Sequence, residues 1–391
     1  RLRMLLITLA LAVAPQVSSS STPRTFTLPN DFGEAGTGSI EVQLGFYDRP
    51  DAQGAGNPFL DESVTVIEPI VVFDYNYSDT FGVSALLVYD NVSAASIDRL
   101  SYYPEQSGAS GDWYIGADVG LRWKTSDQGS IGARAGFSAE YDYQSIHVGG
   151  DYNWERADRN GKLALSIDAF IDTVEPIRFD GTTDADEDRN SLATTVSWYQ
   201  ILNERTHGTF GATLASQSGF LATPYNFVVV DAPGPPDPPL FNGANGTRQE
   251  EVVPDSRLRY VAFGRVRRLL RPGMSAELGG RFYSDDWGIT AFDIEPRWIN
   301  SFKDGEHVLE LRYRYYTQGE ADFYQREAFA VAPTGDATQD SDLGDFNSHN
   351  LGATWRWQTS AASRWTFSVD YSLRSDDLDN LYGLVGYQWS F

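Results

Sequence analysis

From residue 363 to residue 391, large apolar side chains occupy every second position. Trp365, Phe367, Val369, Tyr371 and Leu373 alternate with Arg364, Thr366, Ser368, Asp370, Ser372 and Arg374. A polar stretch at 375–380 interrupts the pattern, which resumes through Leu381, Gly383, Val385, Tyr387, Trp389 and Phe391. A period of two sends successive side chains to opposite faces of a strand. Aromatic-rich alternation over about ten residues, repeated across short turns, is the signature of a transmembrane β-barrel. Beyond the N-terminus, no stretch approaches the roughly 20 apolar residues that a membrane helix requires.

The same pattern recurs from residue 37 onward. It predicts strands near 38–47, 64–76, 81–91, 112–124, 130–141, 144–155, 162–172, 191–201, 207–217, 257–268, 274–284, 287–299, 306–317, 349–358, 363–374 and 381–391. That is about sixteen antiparallel strands, an even number, as bacterial barrels have. Connections sort by length. Tight ones fall at 77–80, 125–129, 156–161, 203–206, 269–273, 304–306 and 359–362, whereas 48–63, 92–111, 173–190, 218–256 and 318–348 are long and acidic or rich in Gly and Pro. With both termini periplasmic, every tight turn is periplasmic and every long loop extracellular. The barrel is thus expected over 37–391. Residues 1–22 read as a signal peptide and flexible N-terminus: basic at Arg1 and Arg3, apolar to Val13, small at Ala12 and Ala14.

Composition narrows the function classes. A net charge of −24 would be repelled by a phosphate backbone, which argues against nucleic acid as a partner. Without cysteine there is no disulfide framework and no thiolate chemistry. The two faces also differ in kind. Trp113, Ile115, Ala117, Val119, Leu121 and Trp123, with Ile131, Ala133, Ala135 and Phe137, and later Leu351, Ala353, Trp355 and Trp357, form a lipid face. Asp118, Arg122, Arg134, Glu140, His147, Asp151 and Glu155 share the opposite parity. Charges gathered on one inner face demand water or mutual pairing. A soluble sandwich or propeller, the alternative, has less reason to place Trp at its strand ends.

The strand at 257–268 carries Arg257, Arg259, Arg265 and Arg267 on one parity. Its neighbours add Glu277, Arg281, Asp293, Glu295, Arg297, Glu310, Arg312, Arg314 and Arg356 on the same side. One reading is a transverse field across a lumen that orients polar solutes; the other is mutual neutralisation that stiffens a wall or plug. Segment 218–256 is too long for a plain turn, and partial inward folding would narrow the pore. Trp287, in the hairpin tip 284–288, reads as an interfacial anchor, as do Tyr313, Tyr315, Phe323 and Tyr324. Ser348, His349 and Asn350 have the residue types of a lipid hydrolase, but adjacent strand residues face opposite ways. His147 is expected to project inward beside Asp151 as a hydrogen-bond partner. Asp184, Asp186, Glu187 and Asp188, and Asp336, Asp340 and Asp342, read as solvated acidic loops rather than Ca²⁺ ligands. No catalytic, metal or cofactor site is implied.

Several blocks resemble a known family. They are the run from Gly219 to Tyr225 (GFLATPY), the spacing of Glu251, Pro254 and Arg257, the run from Arg281 to Ile289 (RFYSDDWGI), that from Arg312 to Gln318 (RYRYYTQ), and Ala321 to Tyr324 (ADFY). Together they are similar to the predicted outer-membrane protein family called domain of unknown function 3570. The terminal aromatic strand likewise resembles the end that bacterial outer-membrane proteins present to their insertion machinery. The resemblance implies an envelope β-barrel in the outer membrane of a Gram-negative bacterium, and an association with envelope redox modules. The expected function is a porin-like channel for small polar solutes, with a non-conducting scaffold that docks periplasmic or surface partners as the rival. The expected partners are outer-membrane lipid, the insertion machinery and the solute.

Overall fold

The computed structural model describes residues 32–50, 55–59, 62–94, 112–140, 142–176, 178, 182–223, 226–230 and 246–391. The expected signal peptide at 1–22 lies outside them. The strands in chain order are β1 (Gly38–Arg49), β2 (Val64–Asn76), β3 (Phe81–Ala94), β4 (Asp112–Lys124), β5 (Gly129–Ala139), β6 (Tyr143–Glu155), β7 (Gly161–Val174), β8 (Glu187–Asn203) and β9 (Thr206–Gly219). A short pair follows, β10 (Phe227–Val230) and β11 (Thr247–Glu250). The chain continues with β12 (Ser256–Arg271), β13 (Met274–Asp285), β14 (Thr290–Phe302), β15 (His307–Gln318), β16 (Phe346–Ser360), β17 (Ser363–Arg374) and β18 (Asn380–Ser390).

Every strand but β10 and β11 joins one closed antiparallel barrel of sixteen strands, each beside its neighbours in sequence. β1 closes the ring by pairing with β18 from Ser39↔Ser390 to Asp48↔Leu381. The terminal residue takes part: Gly38 N donates to the Phe391 carbonyl (2.8 Å), and Phe391 N donates to the Gly38 carbonyl (2.9 Å). β9 pairs directly with β12, so β10 and β11 belong to an excursion between two ring neighbours. A closed ring has no free edge, which suits a sheet surrounded by lipid.

Burial follows parity. The outer face exposes Val42, Leu44 and Phe46 of β1, Val119 of β4, Phe292 and Ile294 of β14, and Leu351 of β16. The inner face buries Gln43, Ser84, Arg122, Thr213, Thr354 and Ser368. A soluble protein does the reverse. Toward the tight turns the outer aromatics form a belt in which Trp355 stacks on Trp357 and Phe367, Trp365 meets Tyr387, and Trp389 meets Phe391. Such a girdle marks the membrane–water interface. The fold is a transmembrane antiparallel β-barrel.

Several strands run further than their apolar residues do. β8 begins at Glu187 rather than 191, β16 at Phe346 rather than 349, and β13 ends at Asp285 rather than 284. Ladder hydrogen bonds continue past the lipid belt, where the pattern carrying the sequence reading fades. A charge set into the belt tests the assignment. Val119, 51% exposed at the middle of β4, replaced by Arg should cost about 2–4 kcal/mol in a denaturant titration from lipid vesicles; a neutral result contradicts a lipid-facing β4.

Candidate functional site: the lumen wall and its roof

β12 presents its odd residues inward, and they form two tiers. Arg257 and Arg259 lie near the long-loop end and are buried, 3% and 2% exposed. Val261 and Phe263 follow on the same face, and Arg265 and Arg267 come below them with side chains 30% and 36% exposed. Phe263 lies against the wall where Gly211 of β9 leaves room for its ring. At about 3.4 Å per residue, roughly 20 Å separates Arg259 from Arg265. The lower tier is wet and the upper tier is sealed.

The remaining predicted wall residues also face inward, and they pair along the wall with their strand neighbours. Arg257 Nε and Nη2 donate to Asp285 Oδ2 at 2.9 and 2.5 Å. Glu277 takes Arg267 at 2.8 Å, with Arg265 at 3.9 Å and Arg297 at 3.8 Å. Arg297 is held mainly by Glu295 and Glu310, and Arg356 also reaches Glu310 at 3.4 Å. Asp293 joins Arg281 and Arg314, both at 2.8 Å. Arg312 pairs with Asp370. Cations and anions therefore interleave in the plane of the wall, so the opposed-sides arrangement behind a transverse field is replaced by local neutralisation. Inward glycines seat these pairs: a Cβ at Gly352 would strike Arg312 and Asp370, and one at Gly149 would strike Arg134 and Asp168. Gly279, by contrast, floors an open niche ringed by Arg265, Glu277, Arg281, Asp293, Glu295 and Arg297.

A second network lines β4 to β7. His147 Nδ1 lies 3.0 Å from Asp118 and its Nε2 2.9 Å from Asp168, while Arg134 bridges Asp168 and Asp151. The expected neighbour Asp151 thus belongs to Arg134, because cross-strand partners come closer than residues four apart on one strand. On β16, Ser348 and Asn350 bond to each other on the inner side, and His349 meets Tyr313 Oη at 2.7 Å on the outer. The three residue types do not converge.

The long loops form a roof that draws on distant sequence. Leu221, Trp287, Ile289, Ala321 and Leu343 build an apolar core, with Phe323 and Tyr324 packed on it. Trp287 is 4% exposed and stacks 4.2 Å over the Arg257 guanidinium. It is not the lipid-interface anchor its position in a hairpin tip suggests, nor are Phe323 and Tyr324; the loops give them a drier partner than the membrane rim does. Tyr313 and Tyr315 do sit outside, beside His349. Excursion 218–256 contributes β10, whose four apolar residues are all buried, against Phe59 and Ala328. Residues 231–245, with the Pro-rich run, lie outside the described residues. The roof grips inward-facing wall residues: Asp342 takes Arg374 at 2.6 Å, and Gln318 Nε2 donates to the Gly344 carbonyl at 2.6 Å. These wall contacts come from the 319–345 loop; the described part of 218–256, for which partial inward folding was expected, bonds to that loop, Thr223 Oγ1 donating to Asp340 and Val229 N to Gln339 Oε1.

Its carboxylates are buried rather than solvated, contrary to expectation for Asp340 and Asp342. Burial pushes Glu62 up to about 8, Glu251 up to about 7 and Asp340 up to about 6. Burial acts on Asp342 too, but Arg374 and Arg49 outweigh it and hold its carboxyl below the ordinary range. Glu62 accepts from Asn57 N and Ser341 Oγ, both at 2.9 Å, and Glu251 accepts from Thr223 N at 3.0 Å. Asp184 pairs instead with Arg178. Among the described residues no three His, Asp or Glu side chains converge on a cation. The sequence reading gave no site role to Asp285, Arg189, Arg49, Arg374, Glu62 or Glu251, although Arg374 stood in the alternation and Asp285 and Glu251 in the family blocks. Asp285 and Arg189 have inward parity just past the strand ends as predicted; the roof carboxylates carry no local signal.

Groups whose folded-state pKa is raised bind protons in the closed roof that they release once it opens. The share of closure carried by Glu62, Glu251 and Asp340 is therefore complete below about pH 4 and lost as pH rises through 6 to 8, whereas the share carried by Asp342, whose carboxyl is held low, is lost as pH falls below the ordinary carboxylate range. Amide exchange of 319–345, corrected for intrinsic rate, should be roughly tenfold or more slower at pH 5 than at pH 8.5, and Glu62→Gln with Glu251→Gln should flatten that dependence. Equal protection at both pH values would dismiss the titrating roof.

Comparison with solved structures finds outer-membrane barrels at low identity. An outer-membrane secretin for bacterial polysaccharide matches at 12% identity, over 90% of this chain and 98% of that one, with a TM-score of 0.49. OccAB1 of Acinetobacter baumannii matches at 11% identity, over 93% of this chain and 98% of that one, TM-score 0.45. OpdK of Pseudomonas aeruginosa, solved with vanillate, matches at 10% identity, over 92% and 100%, TM-score 0.42. No curated protein matches by sequence. The family model described as "Protein of unknown function (DUF3570)" matches residues 114–389, well beyond the blocks in the last 180 residues that first carried the likeness. With most of its length matched, and with β5 to β17 wholly inside that span, the chain belongs to the DUF3570 family.

Proposed function

We propose that this barrel sits in the outer membrane of a Gram-negative bacterium and conducts small polar solutes, with its Arg-rich wall setting selectivity. The single observation behind the reading is the exposure gradient along β12. Arg265 and Arg267 keep about a third of their side chains accessible at the tight-turn end, and a ring of sixteen strands is wide enough for water. Two arginines sharing the single carboxylate Glu277 would be costly in a dry interior, which supports an aqueous lumen beside this tier. Tight turns facing the periplasm and long loops facing outward complete the topology.

The roof supports a second reading. Its apolar core of Leu221, Trp287, Ile289, Ala321 and Leu343 is that of a folded lid rather than of mobile surface loops. A barrel closed in this way could instead be a non-conducting scaffold that docks periplasmic or surface partners.

Planar-bilayer recording separates the two. The channel reading expects discrete conductance steps, and Arg265→Glu with Arg267→Glu should shift the reversal potential toward cation selectivity. Silent bilayers at every pH leave the scaffold; steps with an unmoved reversal potential remove the wall from selectivity.

A further inference from the structure

Arg259 stands apart from the other wall arginines. Its neighbour across the β12–β13 ladder is Asp285, yet that carboxylate is already taken. Oδ2 accepts from Arg257 Nε, Arg257 Nη2 and Tyr283 Oη, and Oδ1 accepts from the backbone N of Trp287 and Ile289. Five donors exhaust about four lone-pair directions. Across the other ladder Arg259 faces Ala215 of β9, and Ala215 faces Ala193 of β8, so small apolar residues fill that row. Among the described residues, Arg259 Nε, Arg259 Nη1 and Arg257 Nη1 are buried N–H groups without an acceptor. Charge is also unbalanced. Arg257 and Arg189, the latter paired with Asp172 at 3.1 Å, both repel Arg259, and the one carboxylate that attracts it, Asp285, is the one Arg257 already holds.

We propose that the upper tier is a binding site for an oxyanion, a carboxylate, phosphate or sulfate group, clamped between the guanidinium groups of Arg259 and Arg257. Side chains two apart on a strand share a face, so the unpaired donors of both residues project to one side. A planar or tetrahedral oxyanion accepts two or more N–H bonds at once and supplies the missing negative charge. Trp287 roofs the site over Arg257. The wetter Arg265 and Arg267 give the anion a cationic approach from the tight-turn end. As the solute class of the channel this rests on the conducting reading; as a site it does not.

Calorimetric titration of the full chain in detergent micelles, in low-chloride buffer, tests it with inorganic phosphate, sulfate and benzoate as separate probes. Saturable binding of at least one probe is expected, weakened tenfold or more by Arg259→Met and left within twofold by Arg156→Met, an exposed arginine of a tight turn outside the wall. The melting temperature gives a second readout. Arg259→Met should match or exceed the parent without anion, since it removes an unpaired buried charge, and should lose the anion-dependent rise. Absence of saturable binding by every probe overturns the site, as does parental affinity in Arg259→Met or a melting temperature lowered with and without anion. Binding with silent bilayers would keep the site and remove the channel; conductance without binding would do the reverse.

Discussion

Everything in this molecule follows from the absence of water around the middle of the sheet. A backbone N–H or carbonyl that meets hydrocarbon unpaired costs several kcal/mol, so every strand must have a partner on both sides. The ring meets that demand by joining β1 to β18, and Phe391 hydrogen-bonds to Gly38 at the seam. Once the backbone is satisfied in this way, the side chains divide by parity. Apolar groups go out to lipid, and polar groups go in.

That inversion creates the second problem, a lumen crowded with charge. The wall solves it locally. Arginines pair with carboxylates one strand away, Arg267 with Glu277 and Arg281 and Arg314 with Asp293. Inward glycines let the pairs lie flat, as Gly352 does beneath Arg312 and Asp370. These ion pairs lie against their own wall rather than across the barrel. The exception is the tier just under the roof, where Asp285 is saturated by its neighbours and Arg259 is left with buried donors to fill.

The roof itself is a small folded body attached to the barrel. It takes its apolar residues from four separate stretches and its polar contacts from wall residues of inward parity, Arg49, Gln318 and Arg374. Burial holds protons on Glu62, Glu251 and Asp340 to higher pH than carboxylates ordinarily allow. These carboxylates come from stretches scattered across the chain.

The sixteen wall strands, their antiparallel order and their inward and outward faces were legible in the residues alone. Parity is a local property, set by the geometry of one extended strand and by lipid outside it. Every predicted wall charge, from Arg257 to Arg356, faces the side that alternation assigned. What the residues did not disclose lies where alternation stops. Arg189 and Asp285 sit at strand ends beyond the apolar belt; Trp287 turned from a rim anchor into the centre of a lid. Glu62, Glu251 and Asp340 became neighbours only when three loops met. Pairing between strands and packing between loops are long-range events. Sequence spacing determined which face each charge would occupy, and the tertiary structure alone decided which partner it would find there and which one, Arg259, would be left over.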